Sequence, residues 1–362
     1  MSDIKDSLVE LQNYDLKTYS PIVFDLGKES DIQSIDELIE KKKITKVVDY
    51  LHEQKKELQL INDPKLLYEG VDAVKIKNEE GVWIYYPWLS SLVHCLKEGD
   101  YNRLRLSRNR ELITEEEEKE FASLKIGFAG LNVGNPIAIC TALEGGSLAL
   151  MKLADNDTLD FTNLNRFRAT VADQGINKAI LTARQVYEVS PFVKTEVLDK
   201  GISAEGIEDF LLRPRIDILV EEMDNLPLKI KIREKAREHG IPVVMITGNG
   251  AGVIVDVERY DKDKSSRVLN GYLKDDVIER IKNPVSTLDE KIALARDFMG
   301  KEHLSPRLNK SFGLIGRELV GIPQISEASF LRGAVVCNIL RNLLRKDIPS
   351  GRYSFSLSDI IK

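Results

Sequence analysis

The chain has few cysteines, no long apolar run and no excess of positive charge. Its three cysteines, Cys95, Cys140 and Cys337, form no Cys-x-x-Cys pair, which excludes a four-cysteine zinc site and leaves no disulfide framework. No apolar run approaches the roughly 20 residues that a membrane helix requires. The first residues are partly acidic and lack the apolar core of a signal peptide. We therefore expect a cytoplasmic protein with reduced thiols and no membrane partner.

The formal net charge of -6 argues against a nucleic-acid partner, because such partners select basic surfaces. The chain has 362 residues, of which 43% are hydrophobic. This length suits one large α/β domain and a smaller one. We expect an N-terminal module over residues 1–120 and a main domain over residues 121–362.

The N-terminal module is predicted to mix helices and strands. Ile32–Ile61 has the apolar spacing of helices, Val71–Lys77 alternates like a strand, and Val82–Tyr86 is the returning strand of a hairpin. A capping-box pattern at Thr114 and Glu117 predicts a further helix that ends near Leu124.

From Lys125 onward, short apolar strands alternate with helices. The predicted strands are Ile126–Ala129, Leu148–Ala154, Val193–Leu198, Ile216–Val220 and Val243–Ile246, and the predicted helices are Gly134–Glu144, Ile176–Glu188, Pro227–His239 and Phe330–Arg345. Val253–Val257 is a further candidate strand, and residues 261–323 are interpreted as an insertion over the site. This alternation predicts an α/β fold, a Rossmann-like mostly parallel sheet with helices on both faces, plus the small α+β N-terminal module.

A glycine-rich turn follows the first strand of this sheet. The segment runs from Gly130 through Asn132 and Gly134 to Asn135, and a helix follows it. Glycine accepts positive φ and helix N-termini attract anions, so this context favours a phosphate site. Asp155 comes 25 positions after Gly130 (155 − 130), at the end of the second strand, where an acid can bind ribose hydroxyls.

Charged residues follow at the points where ligands bind in such sheets. Lys178 lies in the first turn of a predicted helix, where a bound phosphate would offset its repulsion by the helix dipole. Arg166 lies just upstream, and together the two cations could clamp phosphoryl oxygens. Glu221, Glu222 and Asp224 crowd the end of the fourth strand, which suggests Mg²⁺ bound to phosphate.

The order of these motifs resembles the ThiF/MoeB/HesA superfamily, the adenylyltransferases of the ubiquitin-activating-enzyme type. The resemblance covers roughly residues 102–259, and a long ThiF-like subgroup also has stretches similar to Val82–Trp88 and Gly130–Gly134. It implies that Asp155 binds ribose, that Asn163 and Arg166 contact ATP, and that Asp224 binds Mg²⁺.

The full predicted site combines the residue patterns with this resemblance. The predicted nucleotide contacts are Gly130, Asn132, Gly134, Asn135, Asp155, Asp157, Asn163, Arg166 and Lys178. The predicted catalytic residues are Arg166, Lys178 and Asp224, together with an upstream arginine that reaches the phosphates, for which Arg103, Arg108 and Arg110 are the candidates.

Three departures from the family pattern stand out. Asn132 and Asn135 replace the second and third glycines of the usual turn, Phe167 replaces a glutamine, and the zinc cysteines are absent. Since no cysteine lies in an evident thioester loop, we expect an adenylate that is passed on directly.

The resemblance implies ATP- and Mg²⁺-dependent adenylation of a carboxylate by a homodimer. The acceptor could be the C-terminus of a small carrier or ubiquitin-like protein, a peptide, or a small metabolite. By its position, the N-terminal module over residues 1–120 is a possible clamp for this acceptor. Two alternatives remain open. One is a nucleotide-binding sensor or assembly protein without catalysis, and the other is a dinucleotide-dependent oxidoreductase.

Overall fold

The computed structural model describes residues 15–70, 81–283, 287–346 and 348–359. These residues form two compact units, and the division between them lies between Arg108 and Asn109. The predicted strand Val71–Lys77 lies outside the described residues.

The first unit contains a four-stranded sheet in the order β1-β3-β4-β2. Its elements are β1 (Ile22–Phe24), α1 (Glu29–Glu40), β2 (Lys46–Asp49), α2 (Leu51–Asn62), α3 (Leu66–Glu69), β3 (Val82–Tyr86), β4 (Ser91–Cys95) and α4 (Glu98–Arg105).

The prediction of helical structure throughout Ile32–Ile61 was wrong in its middle. Val47 and Val48 belong to β2, where they pair in parallel with Leu92 and Val93. Their β-branched side chains suit a strand, and the neighbouring β4 supplies the hydrogen bonds that the local sequence does not reveal.

The second unit contains a seven-stranded sheet in the order β11-β10-β9-β8-β5-β6-β7. Its strands are β5 (Lys125–Ala129), β6 (Leu150–Ala154), β7 (Thr195–Leu198), β8 (Ile218–Glu221), β9 (Val243–Asn249), β10 (Gly252–Glu258) and β11 (Gly351–Ser356). The strands from β7 to β9 pair in parallel, and β10 pairs antiparallel with both β9 and β11. The predicted Rossmann-like, mostly parallel sheet is therefore confirmed.

Helices cover both faces of this sheet. They are α5 (Glu115–Ser123), α6 (Leu131–Leu143), α7 (Lys178–Val189), α8 (Ile207–Leu212), α9 (Leu226–His239), α10 (Asp275–Lys282), α11 (Leu288–Met299), α12 (Pro306–Ser311) and α13 (Ser326–Leu343). Apolar residues of α8 and α9 form one core with β5, β8 and β9. On α13, a Cβ at Gly333 would lie 2.7 Å from the carbonyl oxygen of Pro136, so α6 and α13 are in close contact. Within the described part of the chain, no helix has both the length and the apolar character to cross a membrane.

Helix α5 belongs to the second unit, so the predicted boundary at residue 120 lies too late. The carbonyl of Phe121 accepts a hydrogen bond of 2.8 Å from the N–H of Ser147. Glu117 and Glu120 both form ion pairs with Arg345, which follows α13. These contacts are distant in sequence, so the capping box at Thr114 could predict the helix but not the unit that contains it.

The described part of segment 261–323, which the sequence suggested is an insertion over the site, packs on α9 and β9. Val277, Leu294 and Phe298 form an apolar core with Ile230 of α9 and Met245 of β9. This region therefore completes the hydrophobic core of the second unit on the α9 side.

Candidate functional site

The turn after β5 is a single glycine, and α6 begins at Leu131, earlier than the predicted Gly134. Gly130 has φ 87° and ψ 112°, which residues with a Cβ rarely adopt. A Cβ at this position would lie 2.5 Å from both the carbonyl carbon and the oxygen of Glu222. Glycine is thus required both by the backbone conformation and by the close approach of the segment after β8.

Asp155 joins the end of β6 to the N-terminus of α6. It is 8% exposed, and its carboxylate accepts the N–H of Leu131 at 2.5 Å and that of Asp157 at 2.8 Å. Burial raises the pKa of Asp155, while these two hydrogen bonds and the charge of Lys178 oppose the rise. A carboxylate has about four acceptor positions, so acceptor capacity remains for a ribose hydroxyl.

Lys178 begins α7 and is buried, with 4% of its surface exposed. The side chain of Asn177 caps this helix by accepting the N–H of Ala179 at 2.8 Å. The Nζ of Lys178 lies 3.1 Å from a carboxylate oxygen of the exposed Asp157. A buried cation at the positive end of a helix is unfavourable by itself, so a nearby anion stabilises this arrangement.

Arg166 lies in the loop after β6 and is partly buried. Its Nη1 donates to the carbonyl of Thr162 at 2.7 Å and to Oδ1 of Asn165 at 2.9 Å. Its Nε is buried and has no hydrogen-bond partner among the residues that the structure describes. Burial lowers the pKa of Arg166, and the charge of Asp224 opposes this shift. Asn163 shapes the same loop, because its Oδ1 accepts the N–H of Asp160 at 3.1 Å.

Asp224 follows β8, and its side chain is exposed. Desolvation by the surrounding protein nevertheless raises the pKa of Asp224. The charge of Asp157 raises the pKa of Asp224 further, and that of Lys178 lowers it. Asp224 also interacts electrostatically with Arg166. The four residues come from three separate chain segments, which are the loop after β6, the start of α7 and the end of β8. We call Asp157, Arg166, Lys178 and Asp224 the charged cluster. The structure brings together these predicted residues beside Gly130 and Asp155.

Glu221 and Glu222 do not share the exposure of Asp224. Glu221 is fully buried, and its carboxylate binds Nζ of Lys229 at 2.8 Å and the guanidinium of Arg233. Glu222 accepts the N–H of Ile246 at 2.7 Å, and burial raises its pKa to about 8. The two glutamates thus fix the backbone around Asp224, which is the acid of the three that remains available to a metal.

Asn135 does not face the mouth of the turn. It is fully buried, and its Nδ2 donates to Thr182 at 2.9 Å and to Gln185 at 2.8 Å, which joins α6 to α7. Asn132 and Gly134 lie in the first turns of α6, and Oδ1 of Asn132 is buried without a partner among the described residues.

The three candidate upstream arginines are all exposed. Arg103 lies on α4 of the first unit, Arg108 ends that unit, and Arg110 belongs to the second unit.

Sequence reasoning missed Arg332, on α13. This side chain is 2% exposed, and a Cβ at Gly248 of β9 would lie 2.9 Å from its Nη2. Burial lowers the pKa of Arg332, and the charges of Glu222 and Arg166 also act on it, the first raising and the second lowering the pKa. The available signal was an arginine within an otherwise mostly apolar helix.

The residues present fit a nucleoside triphosphate and Mg²⁺. Gly130 places no side chain at the start of α6, and the buried Nε of Arg166 has no hydrogen-bond partner among the described residues. Asp224 supplies one exposed carboxylate between cations, and Mg²⁺ is commonly held by one or two carboxylates together with phosphate oxygens.

Comparisons with known proteins agree with this architecture. Residues 106–277 match the model of the ThiF family. "Uncharacterized protein MT1398" of Mycobacterium tuberculosis is 34% identical over 277 residues, which are 76% of this chain and 38% of that protein. The chain therefore spans less than two-fifths of the length of this curated relative.

Two solved structures are similar to this chain to different degrees. That of PaaA has a TM-score of 0.50 and 16% identity, with 72% of this chain and 70% of that chain covered. That of the tRNA N6-threonylcarbamoyladenosine dehydratase TcdA of E. coli, in complex with AMP, has a TM-score of 0.48 and 18% identity, with coverages of 67% and 94%.

Proposed function

We propose that the protein is an ATP-dependent adenylyltransferase that activates a carboxylate, a proposal supported by the match of residues 106–277 to the model of the ThiF family. The observation that carries this proposal is the charged cluster beside Gly130 and Asp155. A dinucleotide-dependent oxidoreductase would leave the placement of Lys178 and Asp224 unexplained.

In the proposed reaction, an oxygen of the acceptor carboxylate forms a bond to the α-phosphorus of ATP. The bond from that phosphorus to the oxygen bridging to the β-phosphate breaks, and its electron pair leaves with pyrophosphate. Lys178 and Arg166 would stabilise the negative charge that develops on the departing group. Asp155 would orient the ribose, and Asp224 would hold Mg²⁺, which neutralises phosphate charge when bound.

We further propose that the protein works as a homodimer. One of the exposed arginines Arg103, Arg108 and Arg110 would then contact the phosphates bound by the partner subunit. The acceptor would be a peptide, a carrier protein or a small metabolite that ends in a carboxylate.

Substitution of Lys178 tests the proposed function. Lys178→Ala removes one charge-assisted contact worth about 1.5–3 kcal/mol, so MgATP should bind roughly 10- to 100-fold more weakly by calorimetry. Lys200→Ala is the matched control, since Lys200 is exposed and forms no ion pair with any described residue. Equal affinity in the Lys178→Ala protein and the wild type would refute the role of Lys178.

Pyrophosphate exchange separates the enzyme from a nucleotide sensor. The wild type should exchange labelled pyrophosphate into ATP in the presence of a panel of peptide and metabolite carboxylates. MgATP binding without exchange for any member of a broad panel would favour the sensor, and binding of a nicotinamide or flavin dinucleotide in place of ATP would favour the oxidoreductase.

A further inference from the structure

Arg332 is a buried cation that forms no ion pair with any described residue, although the charge of Glu222 acts on it. Its Nε donates to the carbonyl of Ala328 at 3.1 Å, and its Nη2 lies 3.5 Å from the Oε1 of Gln324, which is a long contact. No ion pair between described residues includes Arg332, and none of their hydrogen bonds engages its Nη1. Burial of an unpaired charge is strongly unfavourable, so such groups commonly bind an anion.

Arg332 lies on the side of the proposed nucleotide site that is farther from Asp155 in the sheet order. In the sheet order, Asp155 follows β6, Gly130 follows β5, Asp224 follows β8, and Arg332 contacts Gly248 on β9. Arg332 therefore lies beyond Asp224 when counted from the ribose acid. Gly248 permits this approach because it has no side chain.

A second arginine is held next to Arg332. The Oγ of Ser329 donates to the carbonyl of Arg166 at 2.7 Å, and the Nδ2 of Asn165 donates to the carbonyl of Gln324 at 2.9 Å. These bonds fix the loop after β6 against α13, which carries Arg332. Neither arginine has an ion pair in the described part of the chain, and their like charges repel one another. An anion between them would reverse this repulsion.

The geometry points to a carboxylate site: Arg332, assisted by Arg166, binds the acceptor carboxylate before it attacks ATP. This inference rests on the proposed adenylation and names its second binding subsite. Two planar guanidinium groups suit a carboxylate, which accepts paired N–H donors. Arg166, on which the charge of Asp224 also acts, would lie between this carboxylate and the phosphates, and Lys178 would lie on the phosphate side.

The test measures thermal unfolding in the presence of glycylglycine, a minimal peptide carboxylate. Glycylglycine at saturating concentration should raise the Tm of the wild type by about 2 °C or more. Glycylglycine amide, which lacks the carboxylate, should not. The Arg332→Met protein should lose the shift, and Arg332→Lys should keep part of it because the charge remains. Arg341→Met is the matched control, since Arg341 lies on the same helix and pairs with Glu144 at 3.3 Å.

MgATP binding by the same variants distinguishes the two possible anions. If Arg332 binds the acceptor, Arg332→Met should bind MgATP within about twofold of the wild type. A loss of tenfold or more would assign Arg332 to the nucleotide phosphates and overturn the inference. An absent glycylglycine shift in the wild type, or an equal shift in Arg332→Met, would overturn it as well. Failure of the wild type to bind MgATP would instead contradict the proposed function.

Discussion

Replacement of Gly130 by alanine perturbs the site where two backbone segments are in close contact. The backbone there has φ 87°, so an added Cβ introduces conformational strain of about 1–3 kcal/mol. The same Cβ would lie 2.5 Å from the carbonyl group of Glu222, and relief of such overpacking costs roughly another 1–3 kcal/mol. The atoms in contact belong to the backbone, so the segment that carries Asp224 has to move. The expected loss in the free energy of unfolding is about 4 kcal/mol in all.

Gly175→Ala is a matched control for the strain alone. Gly175 also has positive φ, 82°, but a Cβ there would meet no atom within 4 Å. At about 2–4 °C per kcal/mol for a unit of this size, Gly130→Ala should lower the Tm by roughly 12 °C and Gly175→Ala by no more than about half of that. Differential scanning calorimetry measures both values.

Equal losses in the two variants would refute the close contact between Gly130 and Glu222, because only strain would then remain. If the contact exists, Gly130→Ala should also bind MgATP more weakly than Gly175→Ala. This second measurement connects the stability of the turn to the proposed phosphate site.

Two further predictions concern the carboxylates around the site. Burial acts to raise the pKa of Glu221, but Lys229 and Arg233 outweigh it and hold the pKa below its ordinary value. Glu221 thus stabilises the fold above about pH 4.5, and this contribution is lost as the pH falls through the lowered pKa. Glu221→Gln should lower the free energy of unfolding at pH 7 by about 3–5 kcal/mol and flatten its decline in acid, as measured by urea denaturation; an unchanged acid slope would contradict this. In Asp155→Asn, one acceptor oxygen remains for the N–H groups of Leu131 and Asp157. We therefore expect a loss of about 1–3 kcal/mol in the free energy of unfolding and weaker MgATP binding. Wild-type values for both quantities would argue against the role of Asp155.

Local patterns were sufficient where one short segment decides the structure. The capping box at Thr114 predicted α5, because its two hydrogen bonds join residues three positions apart. The apolar runs after Lys125 predicted the parallel strands, because a strand covered on both faces needs apolar residues at every position. Gly130 was identified in the same way, from a glycine between a strand and a helix.

Distant contacts decided what local patterns left open. Val47 and Val48 form a strand because β4 lies beside them. The amide of Asn135 turns toward Thr182, which is 47 positions away, and not toward the turn that its sequence neighbours form. The glutamates after β8 were predicted as a group, but only their buried partners show that Asp224 is the exposed member.

The sequence by itself determined the class of fold, the glycine turn and the types of charged residue that the site requires, because these depend on short-range periodicity and side-chain chemistry. Only the tertiary structure decided that residues from the β6 loop, the start of α7 and the end of β8 interact as one charged cluster. It alone also showed that Arg332 is buried beside them, because burial and pairing depend on neighbours from remote parts of the chain.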